Sequence, residues 1–250
     1  MRIELGRARD GQLKFESALN CFSIALVRDP DNVDAHIARS ATLRSLRRYA
    51  EAEHEIARLC KLRQEERGLK LELGWIHHDK RRLVEAANIF RNLLSTAASN
   101  VERAEAHHGL GWVAFAESNF AAAEQEFQMA VENRPHNLEY ELALAWALAR
   151  QGGERRRQEA ELIAWNILAR RLDPSAHVCL GVLAFQSGML ASSEYHLKEA
   201  LRIDPWHGSH ADLGALYVHM ARYDDGESEL RIAASQDWYD TAAHTELGSL

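Results

Sequence analysis

The strongest constraint on this chain is an interval. A leucine followed by glycine occurs at Leu5, Leu73, Leu110, Leu180, Leu213 and Leu247, with Arg39 and Leu144 filling the two gaps, so successive spacings are 34, 34, 37, 34, 36, 33 and 34 residues. Other features keep phase with this marker. A small residue stands thirteen positions on, at Ala18, Ala52, Ala86, Ala123, Ser193 and Gly226, and a large apolar one four positions later, at Phe22, Ile56, Phe90, Phe127, Leu197 and Leu230. Proline closes four of the units, at Pro30, Pro135, Pro174 and Pro205. A repeat of this length is one supersecondary unit that cannot bury its apolar face alone, so copies must stack. The units are helical: the 250 residues hold only four prolines, and no run shows the period-two alternation of a half-buried strand. Each unit reads as two amphipathic helices. The small residues let the helices approach, the Phe or Leu fills the space between them, and proline marks a helix boundary.

The run Leu110-Gly111-Trp112, followed by Ala123, Phe127 and Pro135, resembles the tetratricopeptide repeat, and the same places are filled in phase about seven times along essentially the whole chain. The resemblance implies an all-α, right-handed superhelical solenoid of antiparallel helix pairs. It forms one domain over 1–250, with units near 1–32, 33–66, 67–103, 104–137, 138–173, 174–206 and 207–240 and a partial unit at 241–250. Two departures stand out. The fifth unit carries some five extra residues between Leu144 and Pro174, placed here in the stretch 151–158, and the segment 95–100 is about three residues longer than standard and reads as a loop. Leu5-Gly6 and the closing stretch 244–250 each fall inside the first helix of a unit. A natural array usually ends in a polar capping helix, so the chain is expected to be a fragment of a longer one, with self-association through its truncated terminal repeats.

In this family the first helix of each unit lines the concave surface, and positions two before, two after and five after the marker form one stripe. Trp75, Trp112 and Trp146 fall on it, and three consecutive tryptophans are expected to stack up the middle of a groove. Leu71, His108, Leu142 and Val178 flank them on one side, and Arg44, His78, Phe115, Phe185 and Val218 on the other. With Arg150, the candidate partner-binding set is Leu71, Trp75, His78, His108, Trp112, Phe115, Leu142, Trp146, Arg150, Val178 and Phe185. Accessible rings of this kind supply the aromatic hot spots of peptide recognition, whereas buried ones serve packing between repeats; both readings stand at this point. The Lys and Asn set with which one branch of the family grips chain-terminal carboxylates is not matched.

The remaining chemistry is sparse. His36, His107, His177, His210 and His244 all stand three residues before the marker, a packing slot, and equivalent positions a repeat apart cannot converge on one ion. Only His207 and His210, with Asp204, have a chelating spacing, and no metal or cofactor is expected. There is no G-x-S-x-G, no phosphate-cradling loop and no H-E-x-x-H, so no enzyme activity is expected. The net charge of -7 argues against nucleic acid as a partner. Three cysteines without C-x-x-C spacing suit a reducing, cytoplasmic setting, and neither an export signal nor a membrane span is visible. One charge pattern remains. Arg47 and Arg48, Lys80, Arg81 and Arg82, and Arg155, Arg156 and Arg157 are expected in the turns joining the two helices of a unit, forming a basic edge that is either solvated or a docking edge for an acidic partner. The expected function is a non-catalytic scaffold binding a peptide or helix of another protein. The alternative is a recruiting or assembly arm of a larger enzyme or of a secretion or envelope-biogenesis complex.

Overall fold

The computed structural model describes residues 15–205 and 209–236. Among the described residues there are thirteen α-helices and no strand. The helices are α1 (Phe15–Arg28), α2 (Val33–Ser45), α3 (Tyr49–Leu62), α4 (Arg67–Asp79), α5 (Leu83–Ser95), α6 (Asn100–Ala116) and α7 (Phe120–Asn133), then α8 (Leu138–Gln151), α9 (Glu154–Arg170), α10 (Pro174–Gln186), α11 (Leu190–Ile203), α12 (Ser209–His219) and α13 (Tyr223–Gln236). They divide into two compact units that part between Pro135 and His136. Within each unit the first helices of successive pairs touch, α2 on α4 on α6 and α8 on α10 on α12. The second helices α3, α5, α9 and α11 are each packed between their own partner and the first helix of the next pair. Residues 1–14 and 237–250, on which the expectation of self-association rests, lie outside the described residues.

Local chemistry explains where the helices begin and end. Several first helices start on a side-chain cap: Asn32 for α2, Ser99 for α6, Asn137 for α8 and Asp173, followed by Pro174, for α10. In the turn to the second helix, two backbone bonds close the end of the first. Arg48 N–H donates to Leu43 O and Arg47 N–H to Arg44 O, each at 2.8 Å, and the same pair of bonds recurs at Arg82 and Arg81, Asn119 and Ser118, Met189 and Gly188, and Arg222 and Ala221. This closure needs one residue in the left-handed region. Arg47 (φ 55°), Arg81 (φ 59°), Ser118 (φ 61°), Gly188 (φ 74°) and Ala221 (φ 58°) take it.

Both insertions are absorbed by helices. The link at 96–99 is as long as those at 29–32 and 63–66. The extra residues instead lengthen α6 to 17 residues, where α2, α4 and α10 have 13, so the boundary expected at 103/104 falls at 99/100. The loop expected at 95–100 is present at 96–99, but the extra length lies in the helix that follows it. Likewise α8 turns into α9 through Gly152 and Gly153 alone (φ 74° and 84°), and α9 runs to 17 residues against 14 in α3, α7 and α11. Three or four residues are about one helical turn, so each insertion leaves the inward face in phase.

The core is built on a complementarity between glycine and a large side chain. A Cβ on Gly74 would meet the Phe90 ring at 2.6 Å, one on Gly214 would meet Leu230 at 2.7 Å, and one on Gly111 would crowd Phe127 more closely still. In the α8–α9 pair Ala145 replaces the glycine, and the fully buried residues of α9 include Ala160 and Ala164. Gly111→Ala is therefore expected to destabilise the fold by about 1–2 kcal/mol, because overpacking outweighs the gain in helix propensity. Denaturant unfolding of Gly111→Ala alone and combined with Phe127→Leu tests this. A stabilised single variant, as at an exposed helical glycine, would refute it.

Candidate functional site

In the first unit the candidate residues come together as a run of aromatic rings. Trp75, on α4, meets Phe90 edge-on at 5.2 Å between centroids and His108 of α6 at 5.6 Å. His108 in turn contacts Trp112 at 6.2 Å, Trp112 contacts Phe127 at 5.4 Å and Phe115 at 5.3 Å, and Phe115 contacts Phe120 at 5.1 Å. The two tryptophans do not stack on each other; His108 stands between them. Trp75, Trp112 and Phe115 are half-buried. His108 is only 5% exposed, which corrects its place in the partner-binding set: it is a core residue. Trp112 Nε1–H donates to His108 Nε2 at 2.9 Å, and burial pushes the imidazole down to about 4, so the ring is neutral with its Nε2 lone pair directed at the indole.

A polar network that the repeat pattern did not announce lies beside Trp75. Arg44 on α2 places its guanidinium carbon 5.9 Å from the Trp75 ring centroid, and donates to Asp79 Oδ2 at 2.7 Å and to Glu72 Oε2 at 3.1 Å. Ser40 Oγ–H donates to Glu72 Oε1 at 2.7 Å, and Asp79 Oδ1 lies 3.1 Å from His78 Nδ1. Burial raises the Glu72 carboxyl above its usual range in spite of Arg44 and Ser40. At Asp79 burial acts in the same direction, yet the His78 and Arg44 contacts outweigh it and hold the group below its usual value. The network ties α2 to α4. Leu71 is half-buried and packs with Trp75 against the α5–α6 cluster.

The second unit is arranged differently. Trp146 is half-buried against the cluster of Val178, Leu197, Leu213 and Leu216, and Leu142 is half-buried on the same helix. Val178 is 6% exposed, a second correction to the set, since it is a core residue of that cluster. Phe185 is 40% exposed with its ring edge on His219 at 5.0 Å, and Arg150 is exposed at the end of α8.

The basic residues are largely spoken for. Arg48 pairs with Glu51, Lys80 and Arg82 both pair with Glu53, and Arg81 donates to the Ala116 carbonyl at the end of α6. Arg155, Arg156 and Arg157 do not lie in a turn as expected; they occupy the first turn of α9, where Arg157 pairs with Glu154 and Arg155 with Glu159. The histidine slot is more than packing. His36, His107, His177 and His210 each direct Nδ1 at the side chain nineteen residues on, namely Glu55, Glu126, His196 and Glu229. A glutamate recurring nineteen residues after the histidine was the available signal. His207 and His244 lie outside the described residues, and among the described ones no cluster of three or more His, Cys, Asp or Glu is placed to hold a metal ion.

A tetratricopeptide repeat profile matches residues 3–63, 42–101, 71–138 and 108–164, a span from 3 to 164 that exceeds half the chain. The chain belongs to the tetratricopeptide repeat family. Solved structures extend the likeness of fold to the rest of it. A tetratricopeptide repeat protein from Parabacteroides merdae is similar at TM-score 0.71 and 15% identity, over 99% of this chain and 96% of that one. TTC0263, a thermophilic TPR protein of Thermus thermophilus, is similar at TM-score 0.63 and 20% identity over 73% and 97%. The APC/C hetero-tetramer Cut9–Hcn1 contains a chain similar at TM-score 0.76 and 19% identity, 48% of which is covered. No curated protein sequence matches. Tetratricopeptide repeats generally mediate protein–protein interaction, and among the described residues no helix is long and apolar enough to cross a membrane.

Proposed function

We propose that this chain is a non-catalytic, cytoplasmic scaffold whose α4–α6 face takes an apolar helix or extended peptide of another protein. One observation supports this reading above others. Trp75, Trp112 and Phe115 keep solvent-facing parts while Phe90, Phe127 and Phe120 brace them from behind, so a partner meets rings that are already ordered. Pre-ordered aromatic anchors lose little entropy on binding, which is why they dominate recognition energies. The one cation at the edge of this face, Arg44, is already engaged by both Glu72 and Asp79, which favours an apolar segment over an acidic one.

Phe115 is the position to test, because the tryptophans also support the core. Proteins captured from lysate of the source organism by the wild type are expected to be lost from Phe115→Ala and retained by Trp165→Ala, whose exposed ring lies on α9. The expected cost is about 2 kcal/mol, roughly thirtyfold in Kd. Equal binding of the captured protein by wild type and Phe115→Ala would overturn the proposal.

A further inference from the structure

Three of the four histidine contacts pair an imidazole with a carboxylate: His107 Nδ1 with Glu126 at 2.7 Å, His210 Nδ1 with Glu229 at 2.6 Å, and His36 Nδ1 with Glu55. The α10–α11 pair breaks the series. His196 stands where the glutamate would be, and its Nδ1 lies 3.1 Å from Nδ1 of His177. Both side chains are buried, at 7% and 6% exposure. The difference is chemical. A carboxylate accepts from an Nδ1–H whatever the state of the far ring nitrogen. Two imidazoles facing through Nδ1 hold a bond only while one Nδ1 carries a proton and the other keeps its lone pair. A first added proton on Nε2 of the donor ring leaves the bond but puts a cation among buried rings. A second, on the acceptor Nδ1, sets two N–H groups head to head.

We propose that the His177–His196 pair is an acid-sensitive latch, closing α10 onto α11 while both rings are neutral and releasing them as the pair takes up two protons. The surroundings fit that role. Trp165 of α9 meets the His196 ring at 5.4 Å and Tyr195 meets it at 5.2 Å, so two aromatic rings, themselves open to solvent on their outer sides, lie against His196. The charged groups acting on it are Asp173 at the start of α10, and Glu199 and Arg202 on α11, which pair with each other. Burial lowers both imidazoles below their ordinary range, and His177 lowers His196 further, against the opposing pull of Glu199. The folded state thus binds fewer protons than the unfolded one below about pH 6.5, so the latch contributes fully above that value and is lost as pH falls. The two protons belong to the pair rather than to either ring.

Amide hydrogen exchange of the full chain at pH 7.5 and 5.0, corrected for intrinsic rates, tests the latch, with ring-nitrogen NMR of the wild type alongside. Protection of α10 and α11 is expected to fall by about tenfold or more relative to α2 and α3, each unit of pH below the midpoint shifting the equilibrium about tenfold per proton. His196→Glu restores the pattern of the other pairs and is expected to remove the excess loss. If that variant does not fold, His196→Gln, which bonds His177 without titrating, takes its place. Spectra with one bare and one protonated Nδ1 at pH 7.5, and both protonated after release, support the latch. Equal loss of protection in wild type and variant, or rings that titrate independently without change in exchange, overturns it.

Discussion

Phe90→Ala is expected to cost about 4 kcal/mol of unfolding free energy, close to the ceiling for a single truncation in a core of this kind. The ring is fully buried and lies between two glycines of successive first helices: a Cβ on Gly74 or on Gly109 would stand 2.6 Å from it. The cost of a large-to-small change depends on how far the surroundings can collapse into the space. Here two of the walls are the backbones of α4 and α6, bare of side chains at the contact, and Trp75 is already engaged by His108 and Arg44. The cavity therefore stays open. Because each repeat touches only its neighbours, the loss falls first on α4, α5 and α6. Denaturant titration followed by tryptophan fluorescence, with hydrogen exchange to locate the loss, measures both parts. A cost below about 1.5 kcal/mol, typical of a site that repacks, would mean that the glycine walls are not rigid.

The same glycines show how far the primary structure alone carries the fold. The marker glycine and the large residue sixteen positions after it were visible as periodicity, and periodicity is what repeat packing leaves in a chain. The helix pairs followed from it. What did not follow is of another kind. An insertion of three or four residues preserves helical phase, so the spacing around 96–103 and 152–157 reads the same for a loop and for an added turn. The triple arginine was misplaced for that reason, since Glu154 at the helix start and Glu159 one turn on hold Arg157 and Arg155 on α9. The candidate stripe held Trp75, Trp112 and Phe115, which are half-buried neighbours, together with His108 and Val178, which are buried. Helical position fixes direction; burial depends on what the next helix brings, and Phe127 and Trp75 close over His108. The Arg44–Glu72–Asp79 network joins residues 28 and 35 positions apart, a relation that no single repeat contains.

His108 also sets the acid limit of the first unit. Its imidazole is pushed from 6.5 down to about 4 by burial, and its Nε2 can accept from Trp112 only while unprotonated. An unfolded chain regains the ordinary value, so between pH 6.5 and about 4 the unfolded state binds a proton that the folded state refuses. The stability tied to this ring is fully present above pH 6.5 and is lost as pH falls; the gap between the two values corresponds to about 3 kcal/mol. His108→Gln separates this effect from the protonation of carboxylates, because glutamine offers Trp112 an acceptor oxygen and does not titrate. The wild type is expected to lose about 3 kcal/mol more than His108→Gln between pH 7 and pH 3.5 in denaturant titrations. Most of the difference should appear below pH 5.5, with the Trp75 and Trp112 emission reporting it. Parallel stability curves for the two proteins would show that His108 takes up its proton alike in the folded and unfolded chain, and that its bond to Trp112 does not set the acid limit of this unit.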